Sequence, residues 1–371
     1  MKKVYLFFLF IVLIQTPSFA QQTVNIDLNA DVWDFASGAA EFIEYDSRPV
    51  LKVTGGELVT VKDFDFEDGT IEFDIQFSDA GFASFYFRFE DSSENECFYF
   101  RTPGAGNPDA GNAIQYAPTV KSVNLWDLMY HYQSNANYEI DQWNHVKLIV
   151  SGKQMLAYVN DMEHPALQVP YLEGDSSHGT LAFQGTMMVS NLKVRHDQVE
   201  GLSSRPGMDV EENDSRYIRK WHVTRPIAME ENVDFKNEYA PGDMTSWEVI
   251  TAERKGLVNL TRKYGIKTDA RRMVWLKTTI DSEETQQKTL RLGFSDEVWV
   301  TINGAPLYLD KNLFATPISK NPNGRLSLDN STITIPLNKG KNELMIGVSN
   351  FFYGWGIVAR FDDFNGIHLE R

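Results

Sequence analysis

The stretch TIEFDIQF, residues 70–77, carries the clearest structural pattern in this sequence. Apolar and polar side chains alternate along it, so that each set lies on one face of an extended chain. The apolar set is Ile71, Phe73, Ile75 and Phe77, and the polar set is Glu72, Asp74 and Gln76. A period of two with a single apolar face predicts a half-buried antiparallel strand.

Further segments repeat this alternation in the first half of the chain. ASFYFRFE (83–90) and ECFYFR (96–101) flank the polar turn DSSEN, and together they predict a hairpin. Other strand candidates lie at 112–117, 144–152, 154–161, 179–185 and 188–196. No segment shows a helical period of comparable strength, so the pattern predicts an all-β sandwich from about residue 24 to residue 196.

A change in composition indicates a second domain. Residues 197–216 lose the alternation and collect Gly, Ser, Pro and acidic residues, which is typical of a solvated linker. Strand patterns resume at 272–282, 288–296, 297–304, 331–338, 342–350 and 356–363. Asn303 and Gly304, between two apolar runs, predict a tight hairpin turn. We therefore predict two antiparallel β-sandwich (jelly-roll) domains, residues 21–196 and 217–371, joined by the linker 197–216.

The first twenty residues have the features of a secretory signal peptide. Lys2 and Lys3 precede the apolar run VYLFFLFIVLI, and TPSFA ends at Ala20 in a small-residue cleavage context. The apolar run is short for a bilayer span, and no other stretch is long and apolar enough. We expect residues 1–20 to be removed and the mature chain to be periplasmic or secreted, with no membrane span.

Charge and cysteine content narrow the classes of partner. The formal net charge of −16 repels phosphate backbones, so we expect no nucleic-acid partner. Cys97 is the only cysteine, and without an intramolecular disulfide the fold must be stabilised by core packing. The composition indicates no oligomeric state.

Two stretches resemble known families. Residues 70–196, with GTIEFDIQF, FYFRFED, GNAIQYAP, DQWNHVKLIVSGKQMLAYVND and VSNLKVR, resemble the concanavalin A-like lectin and glucanase superfamily. Within it they are most similar to laminin-G-like modules and to the domain named for 3-keto-disaccharide hydrolases. Residues 217–371, with LGFSDEVWVTINGAPLY, LNKGKNELMIGVSN and YGWGIVARF, resemble a galactose-binding-like jelly roll. Both families include catalytic and non-catalytic members, so the fold does not imply an activity.

The polar face of residues 70–77 can be compared with a catalytic motif of the superfamily. Glucanases of the superfamily carry a strand motif E-x-D-x-E, in which the first Glu is the nucleophile and the last is the general acid/base. Gln76 stands at the last position, and a glutamine cannot donate a proton to a leaving group. A solvated strand face is the favoured interpretation. The enzymatic alternative uses Glu72 or Asp74 as the base and His131 as the acid.

A group of aromatic and polar side chains indicates a ligand-binding face. Four of them, Tyr86, Arg88, Tyr99 and Arg101, alternate with the apolar residues of the predicted hairpin, and we expect them, with Gln115 on the next strand, to continue the face of Glu72 and Asp74. The segments 103–112 and 123–133 would border this face, which in the superfamily often binds glycans. Rings stack on sugars while polar groups bind hydroxyls; cross-strand pairs that only stabilise the sheet are the alternative. The candidates are Tyr86, Arg88, Tyr99, Arg101, Asp109, Asn112, Gln115, Trp126 and Tyr130.

Metal sites have weaker support. The seven histidines show no zinc-binding spacing and no cysteine cluster exists, so we expect no zinc. The acidic turns DFDFEDG (63–69) and FDDFNG (361–366) could supply carboxylate and carbonyl oxygens to a structural calcium ion. No other cofactor is indicated.

The segment FFYGWG, residues 351–356, joins two predicted strands and concentrates aromatic rings. In jelly rolls of the kind it resembles, a similar turn packs at the end of the sandwich. We expect Trp355 and at least one of Phe351 and Phe352 to contact the core or the other domain. A platform for a sugar ring is the alternative.

These patterns favour an exported carbohydrate-binding or glycan-utilisation accessory protein. One alternative is a glycoside hydrolase acting on a small, 3-keto glycoside. A protein-interaction module is the other, since laminin-G-like sandwiches also bind proteins.

Overall fold

The computed structural model of the chain describes residues 23–78, 81–230, 236–266 and 271–369. The predicted signal peptide lies outside these residues. Helical segments are short: one α-helix, α1 (Leu260–Tyr264), and 3-10 helices at Thr102–Gly104, Tyr130–Tyr132, Asn237–Tyr239 and Arg254–Gly256. Within the described ranges, no helix has the length and apolar character that crossing a membrane requires.

Strands make up the rest of the regular structure. Those of the first sandwich are β1 (Thr23–Asn25), β2 (Trp33–Phe35), β3 (Ala40–Tyr45), β4 (Arg48–Val53), β5 (Val59–Val61), β6 (Gly69–Phe77), β7 (Phe82–Phe89), β8 (Glu96–Arg101), β9 (Ile114–Tyr116), β10 (Thr119–Val120), β11 (Val123–Asn124), β12 (Gln133–Ser134), β13 (Asn144–Ser151), β14 (Gln154–Val159), β15 (Leu167–Val169), β16 (Thr180–Gly185) and β17 (Met187–His196).

Two antiparallel sheets face each other in the first sandwich. Sheet A has the order β15-β14-β13-β6-β17-β4-β3, with β1 paired to β17, and sheet B has the order β12-β9-β8-β7-β16-β5-β2. Phe73 on β6 contacts Phe85 and Phe183 of sheet B, with ring centroids 4.9 and 5.4 Å apart. The apolar face of residues 70–77 therefore forms the centre of the core, as the alternation predicts.

The second sandwich is built in the same way. Its strands are β18 (Lys220–Val223), β19 (Ile227–Ala228), β20 (Glu248–Thr251), β21 (Leu257–Asn259), β22 (Arg272–Ser282), β23 (Gln286–Ser295), β24 (Glu297–Ile302), β25 (Ala305–Lys311), β26 (Ser331–Leu337), β27 (Gly340–Asn350), β28 (Gly356–Phe361) and β29 (Ile367–Leu369). Sheet C has the order β20-β18-β22-β27-β24-β25, and sheet D the order β21-β28-β23-β26. The prediction of two antiparallel β-sandwiches is confirmed.

The predicted hairpin turn at Asn303 and Gly304 joins β24 to β25. Their φ angles are 51° and 77°. Positive φ at both central residues is what a two-residue type I′ turn requires, and Asn followed by Gly is the pair that adopts it most readily.

The two sandwiches share apolar packing. Tyr217, Leu257, Leu326 and Val358 of the second sandwich belong to the same buried cluster as the core of the first. The backbone N–H of Leu326 donates to the carbonyl oxygen of Asp127 across this contact, over 3.0 Å. Because the interface is buried and hydrogen-bonded, loops of one sandwich have a defined position on the surface of the other.

The segment FFYGWG divides between these two surroundings. Trp355 is fully buried in the core of the second sandwich, with its ring beneath the guanidinium of Arg272 at 4.5 Å. Phe352 stays partly exposed and its ring centroid lies 6.5 Å from that of Trp126 in the first sandwich. The expected packing of Trp355 and of one neighbouring phenylalanine is confirmed.

We predict that Trp355→Ala lowers the free energy of unfolding by about 3 to 5 kcal/mol, because it removes a large, fully buried side chain. Urea unfolding followed by circular dichroism measures the change. Leu309→Ala is the control: Leu309 is 52% exposed, and its loss should change stability by no more than about 0.5 kcal/mol. A Trp355→Ala protein as stable as the wild type would contradict the core assignment.

Candidate functional site

The polar face of β6 and the polar face of the β7–β8 hairpin lie on opposite sides of the first sandwich. β6 is a strand of sheet A, whereas β7 and β8 belong to sheet B, and their apolar faces meet in between. The expectation that Glu72 and Asp74 continue the ligand-binding face is therefore wrong. Alternation identifies the buried face of a strand, but it does not assign the strand to a sheet.

Glu72 and Asp74 form ion pairs on the outer surface of sheet A. Lys193 Nζ lies 2.9 Å from Glu72 Oε2, and His145 Nδ1 lies 2.7 Å from Asp74 Oδ1. Partial burial raises the pKa of Glu72, but the hydrogen bond from Lys193 and the charge of Arg195 outweigh it, and the pKa is lowered. Burial likewise raises the pKa of Asp74, yet hydrogen bonds from His145 and Asn191 lower it overall. A carboxylate whose pKa is lowered is a weak base, so neither residue is tuned for the role of general base.

His131 lies apart from these carboxylates. It lines a cavity of about 280 Å³ between the sandwiches, together with Glu173 and Arg254. Its Nε2 is buried, and burial, together with the charge of Lys255, lowers the pKa of the ring to about 3. An imidazole that is neutral at neutral pH does not suit a general acid. The structure does not bring the three catalytic candidates together, and a hydrolase built on them stays an untested alternative.

Arg88 does not lie on the face of Tyr86 and Tyr99. A bulge in the pairing of β7 with β16 and a φ of 46° at Arg88 turn its side chain away, and it is only 2% exposed. Its Nη2 lies 2.7 Å from Asp68 Oδ1, and its Nε donates to the carbonyl oxygen of Glu67 over 2.8 Å. Arg88 therefore joins β7 to the turn before β6, which is a structural position.

The other candidates of the hairpin form a connected network on the outer face of sheet B. Gln115 is fully buried, and its Oε1 accepts hydrogen bonds from Tyr99 Oη, over 2.6 Å, and from Arg101. Its Nε2 donates to the carbonyl oxygen of Trp126 over 2.8 Å. Gln115 is thus a positioning residue, which fixes two side chains of sheet B and the segment that carries Trp126.

A cleft of about 450 Å³ opens above this network, with walls from both sandwiches. Tyr86, Tyr99, Arg101 and Trp126, all predicted from the sequence, form its floor and one wall. The opposite wall belongs to the second sandwich. The complete lining is Phe82, Ser84, Tyr86, Cys97, Tyr99, Arg101, Asn124, Trp126, Gln184, Phe314, Arg325, Phe352 and Tyr353. We call this space the interdomain cleft.

Aromatic rings dominate the wall where the two sandwiches meet. The ring centroid of Trp126 lies 4.7 Å from that of Phe314 and 5.7 Å from that of Tyr353, both edge-on. Phe314 and Phe352 are stacked nearly parallel, 5.9 Å apart. Side chains distant in sequence thus form one apolar surface that is partly open to solvent.

Two arginines add positive charge to the cleft. The Arg101 guanidinium lies 5.0 Å from the ring centroid of Tyr99, and that of Arg325 lies 5.2 Å from the ring centroid of Trp126. Burial and the charge of Arg101 lower the pKa of Arg325. The cleft therefore combines aromatic faces with charged hydrogen-bond donors, an arrangement that suits a polar ligand with apolar faces.

Three other predicted residues lie at or beyond the margin of the cleft. The carbonyl oxygen of Asn112 accepts a hydrogen bond from Arg101 Nη1 over 2.8 Å, so this residue supports the cleft from the loop 103–112. Asp109 is exposed and does not belong to the lining. Tyr130 faces the other cavity, where its hydroxyl lies 3.3 Å from Ser327 Oγ. Their roles in binding stay predictions.

The sequence does not predict Phe82, Phe314, Arg325 or Tyr353 as site residues. For the segment with Phe352 it favours packing against the core or the other domain, with a sugar platform as the alternative. Phe82 is 61% exposed on a strand that otherwise buries its phenylalanines. Phe314 and Arg325 lie in the long connection after β25, which has no periodic pattern. The one available signal was the aromatic segment 351–356, which is too short to show which rings remain open.

Burial keeps two tyrosine hydroxyls and one cysteine thiol of the cleft lining protonated. Burial raises the pKa values of Tyr86 and Tyr99 well above the ordinary value for tyrosine. It also raises the pKa of the Cys97 thiol to about 12. A thiol protonated at neutral pH is a poor nucleophile, so these groups can donate hydrogen bonds but do not provide covalent chemistry.

In each of the two acidic turns predicted to bind calcium, one carboxylate pairs with a basic side chain. Asp65 lies 3.0 Å from His178 Nδ1, and Asp363 lies 2.6 Å from Lys288 Nζ. Among the residues that the structure describes, no three His, Cys, Asp or Glu side chains are grouped so that they could hold a metal ion. Structural calcium, which could also use backbone carbonyl oxygens, stays a prediction.

Solved structures that match part of this chain include the carbohydrate binding module CBM66 from Bacillus subtilis, at 13% identity over 44% of this chain and 94% of that chain, with a TM-score of 0.33. Others are the VIP36 exoplasmic/lumenal domain in its Ca2+/Man3GlcNAc-bound form, at 10% identity over 47% and 87% with a TM-score of 0.31, and a beta-glucanase from Bacillus licheniformis, at 10% identity over 46% and 95% with a TM-score of 0.31.

No model of a known protein family matches the chain, and no curated protein matches it.

We predict that Arg88→Ala destabilises the first sandwich by roughly 2 to 4 kcal/mol, because it removes the ion pair with Asp68 and leaves the carbonyl oxygens of Glu67 and Gly152 without the Arg88 donor. Urea unfolding measures the loss. Lys52→Ala removes an exposed ion pair with Glu41 and should cost less than about 1 kcal/mol. If Arg88→Ala lost ligand affinity at unchanged stability, Arg88 would return to the binding site.

A second prediction concerns Glu96, which is fully buried below the cleft floor and accepts a hydrogen bond from Tyr116 Oη over 2.6 Å. Burial raises its pKa from 4.5 to about 7. The stability contributed by protonated Glu96 is therefore fully present below about pH 4.5 and is lost as the pH rises towards 7.

Glu96→Gln should remove this loss. The free energy of unfolding of the variant minus that of the wild type should be about 2 to 3 kcal/mol larger at about pH 8 than at about pH 5. Urea unfolding of both proteins at both pH values measures the four free energies of unfolding. An identical difference at the two pH values would show that Glu96 titrates normally.

Proposed function

We propose that this chain is an exported carbohydrate-binding protein, an accessory to glycan utilisation, whose ligand lies in the interdomain cleft. The observation that carries the proposal is the aromatic wall formed by Trp126 of the first sandwich with Phe352 and Tyr353 of the second. Rings of this kind pack against the C–H faces of a sugar and leave its hydroxyl groups free for hydrogen bonds.

Polar groups beside the rings support the same ligand class. Tyr86 Oη donates to Gln184 Oε1 over 2.7 Å, and Arg101 Nη2 donates to Tyr99 Oη over 2.9 Å. Fixed side chains of this type can exchange donors and acceptors with sugar hydroxyls at little entropic cost, because their rotamers are already set. The volume of about 450 Å³ lies in the ordinary range for small-ligand sites.

The composition of the cleft favours binding over hydrolysis. None of the described residues that line it is Asp, Glu or His. Glycoside hydrolysis ordinarily uses two carboxyl groups on either side of the scissile bond. Glu72 and Asp74, the carboxylates predicted for that role, lie on the opposite side of the first sandwich.

The lining of the cleft comes from both sandwiches, so we infer that binding requires both. Phe314, Arg325, Phe352 and Tyr353 come from the second sandwich, whereas the floor comes from sheet B of the first. A ligand seated between them would contact both. We therefore infer that separating the sandwiches would weaken binding.

The experiment is a glycan-array screen of the mature chain, residues 21–371, with calorimetric titration and mass spectrometry of every glycan that binds. Binding without a cleaved product supports the accessory role. A cleaved glycoside would favour the hydrolase alternative, and Asp74→Asn would then test its catalytic candidates. Absence of glycan binding, with capture of a protein by the same surface, would favour the protein-interaction module.

We predict that Phe352→Ala lowers the affinity for a bound oligosaccharide at least tenfold, the effect of losing about 1.4 kcal/mol of stacking and burial. Phe351→Ala is the matched control, because Phe351 lies on the same turn outside the cleft lining. It should leave the affinity within about twofold of the wild type. Equal losses in the two variants, or none in either, would remove the ligand from the interdomain cleft.

A further inference from the structure

Arg325 is a buried cation without an anionic partner. It is only 5% exposed, yet among the described residues it forms no ion pair with a carboxylate. Its Nε is buried without a hydrogen-bond partner, and its Nη1 makes one long hydrogen bond of 3.5 Å to the carbonyl oxygen of Pro322. A charged group removed from water without a counter-charge is energetically costly.

Arg101 faces the same space and also has no carboxylate among the described residues. Its hydrogen bonds go to the carbonyl oxygen of Asn112, to Tyr99 Oη and to Gln115 Oε1. These neutral acceptors hold the guanidinium in place but do not neutralise it. The charge of Arg101 lowers the pKa of Arg325, so the two cations affect each other across the cleft.

Two other buried arginines of the described chain have carboxylate partners. Arg88 is paired with Asp68, and Arg271 with Glu297. Acidic residues are also more abundant than basic ones, 51 against 35. In such a chain, a cleft with two guanidinium groups and no acidic side chain in its described lining is a local exception to the overall charge.

Asp127 is an acidic residue whose charge acts on Arg325, but its carboxylate binds another group. It is buried beneath the cleft, and its two carboxylate oxygens accept hydrogen bonds from the backbone N–H of Gly354, over 3.2 and 3.1 Å. Its charge acts on Arg325 without forming an ion pair. The cleft therefore lacks a direct counter-ion for Arg325 within the described chain.

We propose that the sugar bound in the interdomain cleft is an acidic one, with a carboxylate or sulfate group held by Arg325 and Arg101. This inference rests on the proposed function, and it specifies the ligand class of the same site. A guanidinium matches two oxygens of a carboxylate or a sulfate with parallel N–H donors, and such charge-assisted hydrogen bonds are stronger than neutral ones. The aromatic wall binds the sugar ring, and the arginines select its charge.

The test compares three oligosaccharides of matched length by calorimetric titration against the mature chain: a neutral galactan, a galacturonan and a sulfated galactan. We expect one or both acidic oligosaccharides to bind at least tenfold more tightly than the neutral one. The two acidic probes distinguish a carboxylate from a sulfate. Raising NaCl from about 20 mM to about 500 mM should weaken acidic binding and leave neutral binding nearly unchanged.

Variants locate the charge recognition. Arg325→Gln should lower the affinity for the preferred acidic oligosaccharide at least tenfold and the affinity for the neutral one no more than twofold. Arg291→Gln removes the same charge from an exposed arginine paired with Asp362, and it should affect neither. If Arg325→Gln does not fold, Arg101→Gln and the salt dependence of the wild type decide the question.

The outcomes separate the two proposals. Neutral and acidic oligosaccharides that bind equally, with affinities that Phe352→Ala lowers and Arg325→Gln does not, would overturn the acidic ligand and retain the carbohydrate-binding cleft. Acidic oligosaccharides whose binding is lost equally in Arg325→Gln and Arg291→Gln would also overturn it, since that result indicates attraction to net charge alone. Failure of all three to bind would overturn the acidic ligand, and failure of every glycan on the array as well would overturn the carbohydrate-binding cleft.

Discussion

One buried carboxylate joins the two sandwiches beside the interdomain cleft. Asp127 follows the strand β11 of the first sandwich, and its side chain accepts the backbone N–H of Gly354 from the second. A side chain at position 354 would approach Asp127 Oδ1 to 2.5 Å and Leu128 Cγ to 2.6 Å, so only glycine allows this contact. Because Phe352 and Tyr353 precede Gly354 directly, the contact also fixes where their rings lie. It costs some charge stabilisation, since burial raises the pKa of Asp127 to about 7.

The same contact depends on a second interaction within the first sandwich. Gln115 holds the carbonyl oxygens of Trp126 and Met129, which lie on either side of Asp127 in the segment. Its Oε1 at the same time accepts from Tyr99 and Arg101. The buried amide of Gln115 thus hydrogen-bonds both to the floor of the cleft and to the segment that contacts the second sandwich. Satisfied buried networks of this type specify one arrangement, because any alternative leaves polar groups unpaired.

The sequence predicts the strands well and the cleft only in part. Alternation is local, so β6, β7, β8 and the longer strands β22, β23, β24, β26, β27 and β28 are predicted within about two residues of their observed limits, whereas the short strands β18–β21 and β29 are not predicted. Assignment to sheets is not local, and this is why Glu72 and Tyr86 were placed on one face. The bulge that withdraws Arg88 depends on the pairing of β7 with β16, far away in the chain. Arg325 and Phe314 come from a connection without periodicity, and only the packing of the two sandwiches brings them to Trp126.

Arg88 and Arg325 show why burial alone does not distinguish a structural residue from a ligand-binding one. Both are arginines with little exposed surface, at 2% and 5%. Arg88 has a carboxylate and two carbonyl oxygens as acceptors, so its desolvation is compensated within the chain. Arg325 has aromatic faces and one distant carbonyl, which compensate its charge less completely. The desolvation of Arg325 is therefore compensated less completely within the described chain than that of Arg88, and this difference is the basis of the proposed acidic ligand.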